Sequence, residues 1–582
     1  MNKIQLIKAA CLSLLSLFTV SCLDLEPKAQ LGDNLVWNKA DNFQLFANQF
    51  YSWTRDFQLS SSSTYGNGVS DGPHSDYRSD LIATSSINTY SQGTNVIPSE
   101  DANYTTLYKQ IYYTNLLLSN AESFSDQAAI AVPVAEAKFF RAYCHFELVQ
   151  IWGNAILLTE PLDLNSEQLY AARNDRGEVI DQIIIDLEEA AEALPETADA
   201  GRLTKYAAYA MLSRVALYEG TWQKFHTGGA ESTTNTTRSS ELLTVAKEAA
   251  QKVIDGGKYE LFYNETLGSQ SYRYMFILED AAQCNPANLH KTDNPEYILS
   301  HRHRDGDKNI TNITHGMLAN VCYITRKMAN MYLCSNGLPI DKAGDVFKGY
   351  SGAATEFQNR DNRMNNTMVQ HEQKYWNNDG KWRISWNDED LNNALVMDVR
   401  SNSGYQNYKW CVERQVADYY ESIDYPVIRY AEVLLNYVEA VYELQGNITD
   451  TDLKYLNEVR TRVNPNMPEL TNAFVSQHGL SMREEIRRER TVELFLEGFR
   501  IDDLKRWATA PKEMVEDQLG VKVTGTWFET NWAAQSRQLN ADGCIILYDG
   551  RTWSDKLYLY PLPSDQLQLN PQLGQNPGWG NN

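Results

Sequence analysis

No two cysteines of the chain are spaced C-x-x-C, and the eight present are scattered over 582 residues. That excludes a zinc ribbon and a thioredoxin-type redox motif. A chain of this size buries a large core without covalent staples, so a disulfide framework is not required either. A basic patch is also missing. The densest basic run, residues 483–490, is interleaved with Glu484, Glu485 and Glu489, and 52 Lys+Arg against 75 Asp+Glu leave a net charge of −23. So acidic a surface repels phosphate backbones, and no nucleic-acid partner is expected. There is no P-loop, no GxGxxG and no GxSxG elbow, and the Gly66-Asn67-Gly68 cluster reads as a turn. Nothing calls for a cofactor. After the first twenty-two residues no stretch is apolar enough to cross a membrane.

What is present begins with those residues. Lys3 and Lys8 form a positive n-region, residues 9–20 a short apolar h-region, and Thr19-Val20-Ser21-Cys22 closes it. The ending resembles a bacterial lipobox, with Thr19 where an aliphatic residue is usual, and it implies acylation of Cys22; plain secretion with cleavage near Ser21 is the alternative. Residues 1–21 are thus read as a signal peptide and 22–37 as a tether, which takes the mature charge to −25. Of the remaining cysteines, Cys144, Cys284, Cys322, Cys334, Cys411 and Cys544 read as small buried hydrophobes, with a Cys322–Cys334 bridge left open.

Helical periodicity dominates both ends of the mature chain. Ala135, Phe139, Ala142, Tyr143, Phe146, Val149 and Trp152 fall on one stripe, stopped by Gly153. Comparable stripes run from Leu203 to Trp222 and from Ile428 to Leu444, with helical segments near 104–120, 178–194, 241–254 and 452–462. Alanines at close-contact positions let helix axes approach, and bulky neighbours fill the gaps. The pattern reads as degenerate helix–turn–helix units of tetratricopeptide type. The middle differs: residues 60–100 and 264–417 are rich in Asn, Gly, Ser, Tyr and Trp, with one strand, Tyr297 to Ser300, and the tail from Gly520 is similar. Long irregular segments rich in aromatics are ordered loops with a job.

Several spaced motifs resemble the SusD/RagB outer-membrane lipoproteins. They are Leu107-Tyr108-Lys109-Gln110-Ile111 with Asn115; Glu136-Ala137 through Arg141-Ala142-Tyr143 to Trp152-Gly153-Asn154; and Gly201-Arg202-Leu203-Thr204-Lys205 with Arg214. Asn359 to Arg363, Pro426 to Ala440 and Leu456 to Arg462 follow. The most specific block is Arg487 to Arg490, Glu493-Leu494, Glu497 to Arg500, Asp503-Leu504 and Arg506-Trp507, before Tyr560 to Pro563 and Asn576-Pro577-Gly578 close the chain. The resemblance implies a mainly α fold, with tetratricopeptide-like helix pairs (about eight scaffold helices) supporting a loop-rich face with a few short strands. It divides the mature chain into an N-terminal helical region, 38–270, and a C-terminal region, 271–582, packed as one body. It implies a non-catalytic protein, surface-exposed and lipid-anchored in the outer membrane, that binds glycan and delivers it to a SusC-like TonB-dependent transporter. Peptide capture is the alternative ligand, and a surface glycoside hydrolase the alternative class.

Catalysis would need a distinguished pair of carboxylates. Adjacent Asp502 and Asp503 diverge by about 100° on a helix. Glu493 and Glu497 share a face, but the arginines of residues 483–506 are expected to hold them ionised, which suits an ion-pair network. His145 reads as a core histidine. His301 and His303 share one side of their strand, Arg302 and Arg304 the other; with no nearby third ligand, no metal site is expected. Glycan recognition needs exposed rings edged by amides, carboxylates or guanidinium groups on a rigid frame. Three clusters qualify: Tyr65, Asp71, His74, Tyr77, Arg78, Asn88 and Tyr90; Tyr272 and Tyr274 leading to His301 and Arg304; and Tyr375, Trp376, Trp382, Trp386 and Tyr405. The proposed ligand contacts are Tyr65, Asp71, Tyr77, Arg78, Asn88, Tyr90, His301, Arg304, Trp376, Trp382 and Tyr405.

Overall fold

A computed structural model describes residues 37–57, 72–83, 87–226, 235–280, 284–304, 314, 322–352, 354–370, 373–378, 381–384, 403–414, 420–531 and 537–580. Cys22, Tyr65, Asp71 and Trp386 lie outside the described residues. Among those residues, no helix is long and apolar enough to cross a membrane.

A short helix α1 (Ala40–Ala47) leads into the scaffold, α2 (Ala102–Glu122), α3 (Ala131–Trp152), α4 (Arg176–Ala193), α5 (Lys205–Phe225) and α6 (Thr236–Gly256). It continues with α7 (Tyr430–Gln445), α8 (Asp450–Thr461) and α9 (Met482–Glu493), and a short α10 (Arg500–Arg506) follows. Side-chain oxygens start most of them. Asp101, Thr204, Asn235 and Ser481 accept from the free N–H groups of the first turns of α2, α5, α6 and α9. Gly257 and Gly446, both left-handed, end α6 and α7. Each of α2 to α6 packs on the next, and α7 packs on α5, α6, α8 and α9. The eight helices α2–α9 answer to the roughly eight scaffold helices that the resemblance implied.

The third apolar stripe, expected from Ile428, becomes helix two residues later, at Tyr430: Ile428 belongs to a strand, β6 (Tyr425–Arg429), antiparallel to β2 (Tyr297–His301). All five β6 residues are buried, so polar alternation never appears and the run blends into the helix that follows. The remaining sheets are two-stranded. β1 (Ile82–Ala83) pairs with β3 (Tyr323–Ile324), β4 (Lys374–Asn378) with β5 (Lys381–Ile384), and β7 (Gln518–Lys522) with β8 (Cys544–Tyr548). The last two ribbons lie in segments that read as loop.

One hydrophobic cluster runs from Phe43 through α2–α8 to Leu573, drawing on both halves of the chain. A second holds Tyr77, Tyr272, Tyr332, Tyr405 and Trp410 beside Val492. The C-terminal segment straps the first. Tyr560 N–H donates to Ile151 O (2.8 Å), Trp152 Nε1–H to Pro561 O (3.2 Å) and Asn576 Nδ2 to Trp152 O (3.0 Å). The six cysteines among the described residues are free thiols, so Cys322 and Cys334 are not bridged; Cys284 is half-buried and the others buried.

Between the clusters lies a buried ion network. Arg429 reaches Glu296, Glu493 and Glu497, each at 2.7 Å; Arg462 reaches Glu296 (2.7 Å) and Glu493 (2.6 Å). Arg363 adds Asp361 (2.7 Å), Glu489 (2.5 Å) and Glu493 (2.9 Å), and Lys409 adds Glu497 (2.7 Å). Burial alone would raise the Glu493 carboxyl, but Arg462, Arg429 and Arg363 hold it well below the usual carboxylate range. The expected network is therefore present, but the cations on Glu493 come from outside residues 483–506. Asp502 and Asp503 do diverge: Asp502 meets His74 (2.7 Å), and Asp503 meets Arg490 (2.9 Å) and Arg506 (2.8 Å). His145 is a core residue; its Nδ1 faces Arg141 O (3.0 Å), Nε2 accepts from Leu158 N–H (3.3 Å), and burial pushes it down to about 3.

Candidate ligand-binding face

The candidate residues separate into distinct environments. Arg78 is enclosed: its guanidinium lies 3.5 Å from the Tyr90 ring centroid and donates to Tyr560 Oη (2.6 Å). Tyr90 and Tyr560 are themselves 4.8 Å apart, so Arg78 and half-buried Tyr90 form a packed stack with the C-terminal strap. Asn88 caps the short helix Thr89–Gln92, its side chain accepting from Tyr90 and Ser91 N–H. Tyr77 is 4% exposed inside the second cluster, too enclosed for a sugar ring to lie against it. His74 is buried between Asp502 (2.7 Å) and Glu147 (2.8 Å). Tyr272 and Tyr274 are buried as well; their hydroxyls donate to Glu493 O (2.6 Å) and a Glu413 carboxylate oxygen (3.0 Å).

On the β4–β5 ribbon, Tyr375 is buried and Trp376 half-buried against the second cluster. The register sets Trp376 opposite Arg383 and Trp382 opposite Asn377. Arg304 is exposed just beyond β2, while His301 sits half-buried beside His303 and Asp56. Burial thus moves Tyr77, Arg78 and Tyr405 from ligand contact to support. Loop composition marked these rings, but it carries no information on which side of the loop faces the frame.

Tyr405 nonetheless leads to a cavity. Its hydroxyl donates to Glu356 (2.9 Å) and lies 3.5 Å from Arg326 Nη1. Arg326 forms the wall of a cleft of about 720 Å³, lined also by Asn330, Tyr350, Arg488, Lys522 and Asp542. Arg326 donates to the Tyr350 hydroxyl and lies over its ring, 4.6 Å from the centroid. The cleft combines one aromatic wall with amide, carboxylate and guanidinium groups, the mixture that reads sugar hydroxyls, and its volume suits a small oligosaccharide. Sequence reading missed it because its lining comes from the helix Arg326–Met331, from β7 and β8 and from α9, none of them unusual alone.

Two family models match the chain. One, described as the SusD family, covers residues 286–579; the other, described as starch-binding and associating with outer membrane, covers 23–217. Among curated proteins, the SusD-like protein P25 of Formosa agariphila is 35% identical over 124 residues, 20% of this chain and 23% of that protein. A SusD-like protein of Bacteroides ovatus is 29% identical over 150 residues, 26% of each. The matches thus span about a quarter of those curated relatives. Solved structures align over nearly the whole length. A SusD-like protein of Bacteroides fragilis superposes with a TM-score of 0.70 at 22% identity, covering 94% of this chain and 99% of that one. A SusD-like carbohydrate binding protein of the same species gives 0.70 at 20% identity, covering 93% and 100%. At these identities the structures establish the fold.

Proposed function

The chain belongs to the SusD family of non-catalytic binding proteins, and from that premise we propose that it captures a glycan at the cell surface and delivers it to a SusC-like TonB-dependent transporter. The observation that carries this reading is the match of its N-terminal part to the starch-binding, outer-membrane-associating model, followed by the SusD model over the remainder. Acylated Cys22 would hold it in the outer membrane. The cleft beside Arg326 and Tyr350 is where we place the ligand; Tyr65, Asp71, Arg304, Trp376 and Trp382 stay candidate contacts on the strength of the sequence alone. Capture needs no reacting group there, only a ring and a rim of hydroxyl readers, and the transporter supplies the energy for uptake.

The test is migration of the purified protein through native gels containing plant, fungal and host polysaccharides. Selective retardation by one polymer, without shortening of that polymer, supports the reading; Tyr350→Ala and Arg326→Ala are expected to weaken it. Retardation by none of the polymers refutes glycan capture and turns attention to peptides. Cys22→Ser is expected to move the protein out of the outer-membrane fraction, and co-purification from that fraction tests the transporter.

A further inference from the structure

The strand that carries His301 ends at a group of side chains that lines no part of the cleft beside Arg326, and there His301 turns from the ligand contact the sequence suggested to a different role. His301, His303 and Asp56 offer Nε2, Nε2 and a carboxylate oxygen, all within 4.8 Å of one another. His303 Nε2 is 3.3 Å and His301 Nε2 3.7 Å from the same oxygen, Asp56 Oδ2. The third ligand missing from the sequence is therefore supplied from 247 residues upstream of His303, by the segment that follows α1.

The surrounding hydrogen bonds orient both rings. His303 Nδ1 lies 3.0 Å from Ile423 O, a carbonyl that only accepts, so Nδ1 carries the proton. His301 Nδ1 lies 2.9 Å from Thr54 Oγ1, whose own hydrogen is donated to Tyr51 O (3.0 Å), so Nδ1 is again the donor. With Nδ1 engaged on both rings, Nε2 is the atom each turns toward Asp56 Oδ2, and it is the atom left to bind a cation. Asp56 is oriented too, its Oδ1 accepting from Phe57 N–H at 2.7 Å. Each ligand atom thus has an outer partner on its opposite side, the arrangement that orients metal-bound histidine and carboxylate.

We propose that Asp56, His301 and His303 form a zinc(II) site with one position open to water. Two imidazoles and one carboxylate suit zinc, whereas calcium and magnesium take oxygen sets. Zinc bonds of about 2.0–2.1 Å in a tetrahedron set ligand atoms about 3.3–3.4 Å apart. The two imidazole–carboxylate spacings, 3.3 and 3.7 Å, lie within a few tenths of an ångström of that value, and the third separation is within 4.8 Å, so binding draws in His301, the outer of the two rings. His303 is 3% exposed, but His301 is 21% and Asp56 36%, so the open position faces solvent. Bound there, the metal clips the segment after α1 to the end of β2, joining the two parts of the chain that lead into the candidate ligand loops.

The test uses the full-length protein, untagged to avoid added histidines, purified in detergent and stripped with a chelator. Titration with zinc against a chromophoric chelator should show one equivalent per chain, and cobalt(II) should give the visible bands of a tetrahedral ion. His301→Ala and Asp56→Asn should each weaken binding by more than about 100-fold, and Thr54→Val, which loosens only the orientation of His301, by about 10-fold. Zinc should raise the melting temperature of the parent but not of His301→Ala, while the two melt alike in chelator, which separates loss of the site from loss of the fold. If the parent binds no more zinc than His301→Ala, the proposal fails and the cluster is an imidazolium–carboxylate pair.

Discussion

Replacing Arg429 with methionine keeps most of the side-chain volume while removing the central cation of the buried network. Five hydrogen bonds go with it: two to Glu497, one each to Glu296 and Glu493, and one to the Glu493 carbonyl. The carboxylates are not all abandoned. Glu493 keeps Arg462 (2.6 Å) and Arg363 (2.9 Å), Glu296 keeps Arg462 (2.7 Å), and Glu497 keeps Lys409 (2.7 Å). Each retains one cation, so the loss corresponds to breaking one buried ion pair, about 3–5 kcal/mol, and not three of them. Urea unfolding at neutral pH, followed by tryptophan fluorescence, measures it as a shift of midpoint at unchanged slope. Lys138→Ala is the control: its partner Glu189 is half-exposed, and the expected change is below about 1 kcal/mol. An Arg429→Met change no larger than that control would refute the argument that the network holds the two clusters together.

Four further outcomes follow from the same packing. Burial and Arg55 push the His74 imidazole down, but Asp502 and Glu147 raise it above its ordinary value near 6.5, so its stabilising contribution is complete below that pH and is lost as pH rises through the raised value. Comparing the pH dependence of unfolding with that of His74→Gln should show this loss in the parent alone. Burial would raise Glu147, but Arg55 and His74 hold it down at about 2, so its contribution is present above the ordinary carboxylate range and fades as pH falls toward that value. Phe140 is fully enclosed against Phe50, Tyr51 and Trp53; Phe140→Ala should cost about 3–5 kcal/mol in the same urea assay. At Gly93 the backbone is left-handed (φ +74°), and an added Cβ would stand 2.2 Å from Thr552 O. Gly93→Ala should therefore lower stability by more than about 1 kcal/mol, read as a fall in melting temperature.

The scaffold was legible because its helices bury one stripe each. Leu242, Ala246, Ala249 and Val253 of α6 repeat at helical spacing and are all buried, as such a stripe requires. β6 was not legible because all of its side chains are buried, which erases the alternation by which a strand announces itself. The Arg/Glu block was correctly read as structural, but its partners were not, since Arg363 and Arg429 reach Glu493 across 130 and 64 residues. The same limit governed the candidate site. His301 and His303 were read onto one face, and the structure brings both to Asp56, yet nothing local to either histidine announces that residue. Aromatic loop composition could nominate Tyr77 and Tyr405 but not distinguish a ring that faces solvent from one that pins the loop to its frame.

The C-terminal strap bears on the order in which the molecule can assemble. Trp152 closes α3, but its indole N–H finds its acceptor only at Pro561, 409 residues later, and its carbonyl is met by Asn576, 424 residues later. Those contacts cannot form while the chain is still emerging, so α2 and α3 wait with one flank uncovered until the last segment arrives. Closing so long a loop is slow, and it is the kind of step that sets the folding rate of a large chain. A chain cut short before Tyr560 would keep its helix-forming sequences and lose the cover over their first layer, leaving apolar surface open to aggregation or to a chaperone.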